Sequence, residues 1–261
     1  MDLGIAGRVA LVLGGGGGLG SAIALALGAE GARIAVADVS PAAIESTSER
    51  LEAIGASALG LQWNLADPSV IWSNLGRIEA GLGPVDILVN ITGGPPPGSA
   101  QAVDRAQWTA QFESMVLPVF AITAAVLPGM RQRKWGRVIT STSSGVIAPI
   151  PNLAVSNALR SSLLGWSKSL AREVARDGVT CNIVVPGRIM TQRIMQLDKA
   201  KAEREGSTVE QVAAASTESI PVGRYGRPEE YADAVAFLAS DRATYITGSI
   251  FRVDGGLIAS I

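Results

Sequence analysis

The residues best placed to do chemistry lie near the start of the chain, in Gly14–Gly20, where all but one position is glycine. This loop follows an apolar run and precedes a stretch rich in alanine and leucine, an order that predicts a strand, a loop and a helix start. A helix N-terminus offers unpaired N–H groups and the positive end of a dipole, so it attracts phosphate. Glycine lets the backbone approach a diphosphate closely. The pattern favours a dinucleotide site over a flexible glycine-rich linker.

A carboxylate, Asp38, ends the second apolar run, 18 residues after Gly20. At that position a carboxylate accepts hydrogen bonds from the adenosine ribose hydroxyls and repels a 2′-phosphate. No lysine or arginine lies in Gly14–Gly20 or at 39–40 to hold such a phosphate. These residues predict NAD(H) as the cofactor, with NADP(H) less favoured. The alternative is that Asp38 only caps the helix that begins near Pro41.

Apolar runs of strand length alternate with helical stretches along the chain, as in a parallel sheet covered by helices on both faces. We therefore predict an α/β fold: a single doubly wound, Rossmann-type domain over residues 1–261, with a seven-stranded parallel sheet. The predicted strands are Arg8–Leu13, Arg33–Asp38, Ser57–Gln62, Asp86–Asn90, Gly136–Thr142, Val179–Val185 and Ser249–Val253. The predicted helices are Gly18–Glu30, Pro41–Ile54, Ser69–Leu82, Arg105–Arg131, Leu153–Asp177, Ser207–Thr217 and Pro228–Ser240. Ligands of such sheets bind at the carboxyl ends of the strands.

Composition excludes several classes of function. The chain has 261 residues, 48% apolar and 17% charged, and a formal net charge of −1, so nothing favours nucleic acid as a partner. It contains no histidine, which excludes histidine–carboxylate metal sites and Ser-His-Asp hydrolysis, and we predict no metal site. Its one cysteine, Cys181, forms no intrachain disulfide.

The sequence also bears on localisation. No apolar stretch is identified as long enough to cross a membrane, and the N-terminus lacks a basic segment followed by an apolar one. We therefore expect a cytoplasmic protein without a membrane partner.

From about Val9 to Gly256 the chain resembles the short-chain dehydrogenase/reductase family. The glycine loop is similar to the family's Thr-Gly-x-x-x-Gly-x-Gly, with Leu13 in place of threonine. The segment Asn90–Gly93 is similar to the family's Asn-Asn-Ala-Gly. The family's adenine-contacting aspartate falls at Asn64–Leu65. The family's later Pro-Gly is similar to Pro186–Gly187. The resemblance implies cofactor contacts at Gly14, Gly18, Leu19, Gly20, Asp38, Asn64, Leu65, Asn90, Gly93, Arg160, Pro186, Gly187, Ile189 and Thr191.

The resemblance also locates the catalytic positions, where the family carries serine, Tyr-x-x-x-Lys and an asparagine. Ser143 keeps the serine, whereas Ser156 stands at the tyrosine position, Arg160 at the lysine position and Met115 at the asparagine position. In the family the serine steadies the substrate oxygen, the tyrosine exchanges a proton and the lysine holds the nicotinamide ribose. The resemblance thus gives Ser143, Ser156 and Arg160 as candidate catalytic residues.

The substitutions change the chemistry available. A serine hydroxyl is far less acidic than a phenol, and arginine stays protonated, so neither Ser156 nor Arg160 replaces a base. The guanidinium of Arg160 can bind ribose hydroxyls or stabilise an oxyanion. Two alternatives stay open: Ser143 serves only as a local cap of the turn at Gly145, and Ser156 with Arg160 forms a face that is no longer catalytic. Pro118, which lacks an N–H, predicts a kink in the long helix.

By resemblance, the segment of about 188–222 forms a substrate loop or lid. Its first part is apolar, at Ile189, Met190, Ile194, Met195 and Leu197, which favours a small apolar or amphipathic substrate. Relatives pair the helices near 105–131 and 153–177 in dimers and complete tetramers through the C-terminal strand. The resemblance therefore implies a homo-oligomer, a dimer or a tetramer.

Three functions are consistent with these residues. The first is an NAD(H)-dependent oxidoreductase that interconverts an alcohol and a ketone or aldehyde. In it Ser143 orients the carbonyl, Arg160 holds the ribose, and Ser156 or a water passes the proton. The second is an NAD-binding sensor or scaffold without redox turnover. The third is an isomerase or lyase that contains NAD.

Overall fold

Seven mostly apolar strands form one parallel sheet at the centre of the computed structural model, which describes residues 1–261. The strand order is β3-β2-β1-β4-β5-β6-β7. The strands are β1 (Val9–Leu13), β2 (Arg33–Asp38), β3 (Ala58–Gln62), β4 (Ile87–Asn90), β5 (Gly136–Ser141), β6 (Val179–Pro186) and β7 (Ile250–Val253).

Helices cover both faces of the sheet. Their buried residues show this, since they divide into two large apolar clusters. One cluster joins the strands to helices α1, α2 and α9, and the other joins them to α3, α5 and α6. The helices are α1 (Gly18–Ala29), α2 (Pro41–Ala53), α3 (Ile71–Gly81), α4 (Arg105–Met115), α5 (Leu117–Gln132), α6 (Ala154–Val174), α7 (Gln192–Glu205), α8 (Val209–Glu218) and α9 (Pro228–Leu238). The predicted doubly wound α/β fold is confirmed.

The strand order reverses between β1 and β4, which pair directly through Ala10 with Ile87 and Val12 with Val89. At such a switch point the loops after the two strands diverge and leave a crevice at their carboxyl ends. The loops after β1 and β4 therefore open onto a common space.

The long helix predicted for Arg105–Arg131 is two helices. Val116 separates α4 from α5 with φ −113° and ψ −55°, and Pro118 follows in the first turn of α5. Pro118 has no N–H to continue the helix ladder, so the break lies where the sequence predicted a kink. By length and composition Arg105–Gln132 could cross a membrane, contrary to expectation, but Ile122, Val126 and Met130 pack in the core.

Helix α7 was not among the predicted helices, and it occupies the first part of the predicted lid. Thr191 caps it, its Oγ1 accepting the N–H of Ile194 (3.4 Å), and Gly206 ends it in the left-handed region at φ +63°. Only Asp198 and Ala202 of this helix are buried. The first part of the predicted lid is therefore a mostly polar helix rather than a loop.

Candidate active site

The glycine loop after β1 is tight because backbone fills the space that side chains would need. Gly14 has φ +65°, and a Cβ on Gly20 would lie 2.0 Å from the carbonyl oxygen of Gly14. A Cβ on Gly18 would lie 2.9 Å from Cγ2 of Thr191, at the start of α7. The loop thus presents bare backbone at the N-terminus of α1, which suits a diphosphate.

Asp38 lies against the outer side of this loop. Its Oδ2 accepts the N–H of Gly16 (3.1 Å), and its Oδ1 accepts the N–H of Ser40 (3.1 Å). The side-chain cap of α2 is Ser40, whose Oγ accepts the N–H of Ala43 (3.3 Å), so Asp38 is not that cap. A half-buried carboxylate therefore stands beside the loop, at the end of β2.

Arg160, on α6, is buried at 8% exposure and has no carboxylate partner. Its Nη2 donates to the carbonyl oxygens of Thr92 (3.2 Å) and Gly93 (2.9 Å), and its Nη1 donates to that of Ser141 (3.4 Å). Burial, with repulsion from Arg193, lowers the pKa of Arg160 to about 10. The guanidinium therefore links α6 to the ends of β4 and β5 while remaining charged at neutral pH.

Ser143 and Ser156 lie on two segments that pack against each other, the 3₁₀ turn after β5 and the start of α6. Ser143 precedes a single 3₁₀ turn, and its Oγ accepts the N–H of Gly145 (3.2 Å), the local contact that the alternative interpretation expected. A Cβ on Gly145 would lie 2.2 Å from Oδ1 of Asn157, so this turn packs directly against the start of α6. Asn157 also pairs with both backbone groups of Ile150.

A cavity of about 440 Å³ brings most of the predicted residues together. Twelve of them line it: Gly14, Gly18, Leu19, Gly20, Gly93, Ser143, Ser156, Arg160, Pro186, Gly187, Ile189 and Thr191. Asp38, Asn64, Leu65 and Asn90 are not part of its lining. The first three of these lie around the ends of β2 and β3, beyond the glycine loop.

Two of those predicted contacts have other partners. Asn90 is fully buried, and its Nδ2 donates to Oγ1 of Thr140 on the neighbouring strand (3.2 Å). Asn64 is exposed and its Oδ1 accepts the N–H of Ala66 (3.1 Å), while Leu65 packs against the core. Asn90 therefore supports the sheet beneath the site.

The wall after β6 is fixed by close backbone packing. Gly187 donates its N–H to the carbonyl oxygen of Val253 (2.9 Å), and a Cβ on it would lie 2.6 Å from Cα of Asp254. Ile189 is buried and forms a parallel bridge with Gly226. These contacts hold the chain beside the cavity before α7 begins.

Helix α7 is tied to the domain by a buried carboxylate, Asp198. It accepts hydrogen bonds from Arg188 and from the hydroxyl of Tyr225 (2.7 Å). Of the residues that suggested an apolar lid, Met190 and Met195 do not line the cavity, whereas Ile194 and Leu197 do.

Sequence reasoning missed a second set of lining residues, the cations of the lid. They are Arg188, Arg193, Lys201 and Arg204. The spacing of Arg193, Leu197 and Lys201 at successive turns was a signal that could have found this face.

Two buried hydroxyls beside the cavity have no hydrogen-bond partner, Oγ1 of Thr92 and Oγ1 of Thr142. Buried polar groups are nearly always satisfied in native structures. Together with the glycine-rich cradle at Gly14–Gly20, these atoms fit a site that a polar ligand completes.

Comparisons with known proteins show which family the chain belongs to. The family model described as enoyl-(acyl carrier protein) reductase matches residues 15–258. The chain is 38% identical over 253 residues to 3-oxoacyl-[acyl-carrier-protein] reductase FabG of Escherichia coli K12, covering 96% of this chain and 97% of that protein. It is 33% identical over 257 residues to 2,3-dihydro-2,3-dihydroxybenzoate dehydrogenase of Bacillus subtilis, covering 97% of each.

Solved structures show the same fold. L-sorbose reductase from Gluconobacter frateurii, complexed with NADPH and L-sorbose, superposes with a TM-score of 0.94 at 29% identity and full coverage of both chains. Levodione reductase superposes with a TM-score of 0.92 at 27% identity, covering 98% of this chain and all of that one.

Proposed function

Because the chain belongs to the short-chain dehydrogenase/reductase family and is an oxidoreductase, we propose that it is NAD(H)-dependent and interconverts an alcohol with a ketone or aldehyde. The observation that carries this proposal is the single cavity shared by the glycine loop, Ser143, Ser156 and Arg160. A dinucleotide at the loop and a small carbonyl compound at the serines would then meet in one space.

The residues present fit a dinucleotide. The N–H groups at the start of α1 would hold its diphosphate, while Gly93, Gly187, Ile189 and Thr191 would surround its nicotinamide half. Bound NAD(H) supplies or accepts the hydride, and the protein supplies placement and electrostatics.

Each catalytic candidate has a separate task in this proposal. Ser143 donates its hydroxyl hydrogen to the substrate oxygen while its own oxygen accepts the N–H of Gly145. Arg160 keeps a positive charge within the cavity wall, which favours negative charge developing on that oxygen. Ser156 is too weak an acid to act alone, so it relays a proton from water that enters the space a larger side chain would fill.

The preference for NAD(H) over NADP(H) rests on Asp38. Its carboxylate lies beside the glycine loop, and no cation occupies 14–20 or 39–40 to neutralise a 2′-phosphate. The sorbose reductase structure has the same fold and is complexed with NADPH, so the fold does not determine which of the two cofactors is bound. We therefore assign the preference for NAD(H) in this chain to Asp38.

We further propose a homo-oligomer. Apolar side chains remain exposed on α5, at Leu117, and along β7, at Ile250 and Phe251. Contacts between copies would remove this apolar surface from water.

The test is NADH oxidation by the purified full chain with a panel of ketones and aldehydes, followed by absorbance. We expect turnover with part of the panel, and a fall in kcat of about 100-fold in Ser143→Ala, because one donor to the reacting oxygen is lost. The matched control is Ser161→Ala, an exposed serine on α6. Absence of turnover with every compound, or an unchanged kcat in Ser143→Ala, would contradict the proposal.

A further inference from the structure

The charges that line the cavity are strongly unequal. Five cationic side chains line it, Arg160, Arg188, Arg193, Lys201 and Arg204, against one acidic side chain, Asp198. Because the chain as a whole has a net charge of −1, this imbalance is a local property of the site. Field lines in a cleft lined by one sign of charge are concentrated there and attract ligands of the opposite sign.

Most of the positive charge is not neutralised by the protein. Asp198 pairs with Arg188 and accepts the Tyr225 hydroxyl, so it is not available to the other cations. Arg204 pairs with Glu205 (3.0 Å). Arg160, Arg193 and Lys201 form no ion pair. Three uncompensated cations therefore line one cavity of about 440 Å³.

Arg193 is positioned by the loop after β4. Its Nη2 donates to the carbonyl oxygen of Pro95 (2.7 Å), and its guanidinium lies close enough to Gly94 that a Cβ there would be 2.9 Å from Nη2. Burial lowers the pKa of Arg193, and its charge contributes to lowering that of Arg160. Two mutually repelling guanidinium groups in a cavity wall are stabilised when an anion is bound between or beside them.

The geometry of α7 separates Lys201 from the diphosphate position. Thr191 contacts the glycine loop at Gly18, and α7 begins at the next residue. Lys201 lies ten positions beyond Thr191, which is about 15 Å along the helix axis. An anion near Lys201 is therefore a different group from one bound at the N-terminus of α1.

We propose that the substrate is an oxo acid, a ketone or aldehyde that also carries a carboxylate, and that Arg193 and Lys201 of α7 bind this carboxylate. The inference rests on the proposed function, since it places the reacting carbonyl at Ser143 and the acid group at the far end of the cavity. Leu197 lies between the two cations on the same face of α7 and lines the cavity, so it would contact the carbon chain of the substrate. This substrate is amphipathic, with its charge on the lid side.

The kinetic test compares oxo acids CH₃CO(CH₂)ₙCOO⁻, with two to six methylene groups, with their methyl esters, using NADH and the full chain. We expect at least one acid to have a kcat/KM at least tenfold above its ester. Arg193→Met and Lys201→Met should each lower this acid-to-ester ratio about tenfold, which corresponds to about 1.4 kcal/mol. The control Lys199→Met removes an exposed cation of the same helix that does not line the cavity, and should leave the ratio unchanged.

A binding experiment separates failure of this inference from failure of the proposed function. Calorimetry on the NAD⁺-saturated protein should give tighter binding of hexanoate than of hexanamide, its neutral counterpart without an alcohol group, and the difference should shrink in Lys201→Met. Turnover of esters as fast as acids would overturn the inference and leave the proposed function standing. Absence of any turnover would overturn the proposed function, and hexanoate binding would then decide the inference. If Lys201→Met weakens NADH binding instead of hexanoate binding, its anion is the cofactor diphosphate and the inference is wrong.

Discussion

The Nη2 atom of Arg160 lies 2.9 Å from the carbonyl oxygen of Gly93, in the loop after β4. The same guanidinium reaches Thr92 and Ser141, so one side chain holds the ends of β4 and β5 against α6. A lysine donates all its hydrogen bonds from one nitrogen and lacks this planar fork. Arg160 thus serves the shape of the site as well as its charge.

Replacing Arg160 should therefore affect both stability and cofactor binding. Arg160→Met leaves buried carbonyl groups without donors, which costs about 1–3 kcal/mol of unfolding free energy. Arg160→Lys keeps the charge and should recover only part of that loss. Urea unfolding and NADH titration would measure the two effects. Equal stability of Arg160→Met and the parent protein would contradict the structural role.

Cofactor choice should depend on Asp38 and on its exposed neighbour Val39. Asp38→Ser removes the charge that repels a 2′-phosphate, and Val39→Arg adds a cation next to it. We expect the double variant to shift the ratio of kcat/KM for NADH over NADPH by at least tenfold toward NADPH, about 1.4 kcal/mol. The single Val39→Ala variant is the control. A ratio that does not move would remove Asp38 from cofactor selection.

The strands of the sheet could be predicted from the sequence because each of them is a separate apolar run. Predicted strand ends differ from the structure by at most a residue, since turns and helix starts limit them on both sides. Helix α7 had no comparable signal, because only Asp198 and Ala202 of its residues are buried. Its cap at Thr191 and its terminal Gly206 were the available clues.

Side-chain partners were less predictable than positions. The sequence predicted Asn90 as a cofactor contact, but its amide donates to Thr140. That partner is set by the register of β4 on β5. Arg160 donates to backbone carbonyl oxygens, which every residue type has, so the sequence does not indicate which ones it reaches. Only the folded structure identifies these contacts.

The pH dependence of the reaction should be flat between about pH 6 and 9. The chain has no histidine, burial raises the pKa of Cys181 to about 12, and that of Arg160 is lowered to about 10. Measurement of kcat/KM in buffers of constant ionic strength checks the predicted flat pH profile of the reaction. A titration with a midpoint inside that range would contradict it.

The hydroxyl of Tyr225 should contribute to the stability of the lid, because it donates to the buried carboxylate of Asp198 at 2.7 Å. Tyr225→Phe removes this bond and should cost about 1–2 kcal/mol. We also expect a higher KM with little change in kcat, since α7 is less firmly held over the cavity. Tyr245→Phe, at a fully exposed tyrosine, is the matched control for thermal and urea unfolding.

The last prediction concerns the proton. Ser156 lines the cavity at the position where the family resemblance predicts a tyrosine, so Ser156→Tyr would introduce a phenol beside the charge of Arg160. A nearby cation lowers a phenol pKa, and a positioned acid contributes about 10²–10⁴-fold to proton transfer. We expect kcat for ketone reduction to rise at least tenfold, and the flat pH profile to acquire a titration above which reduction slows.

The Ser156→Phe variant distinguishes the effect of the phenol hydroxyl from the effect of the ring. Both variants fill the same space, so a gain confined to Ser156→Tyr belongs to proton donation, and a gain shared by both belongs to exclusion of water. A loss in both variants would mean that the small side chain at 156 leaves room for the substrate itself. The proton would then come from water, and the serine would be a feature of specificity rather than a weakened acid.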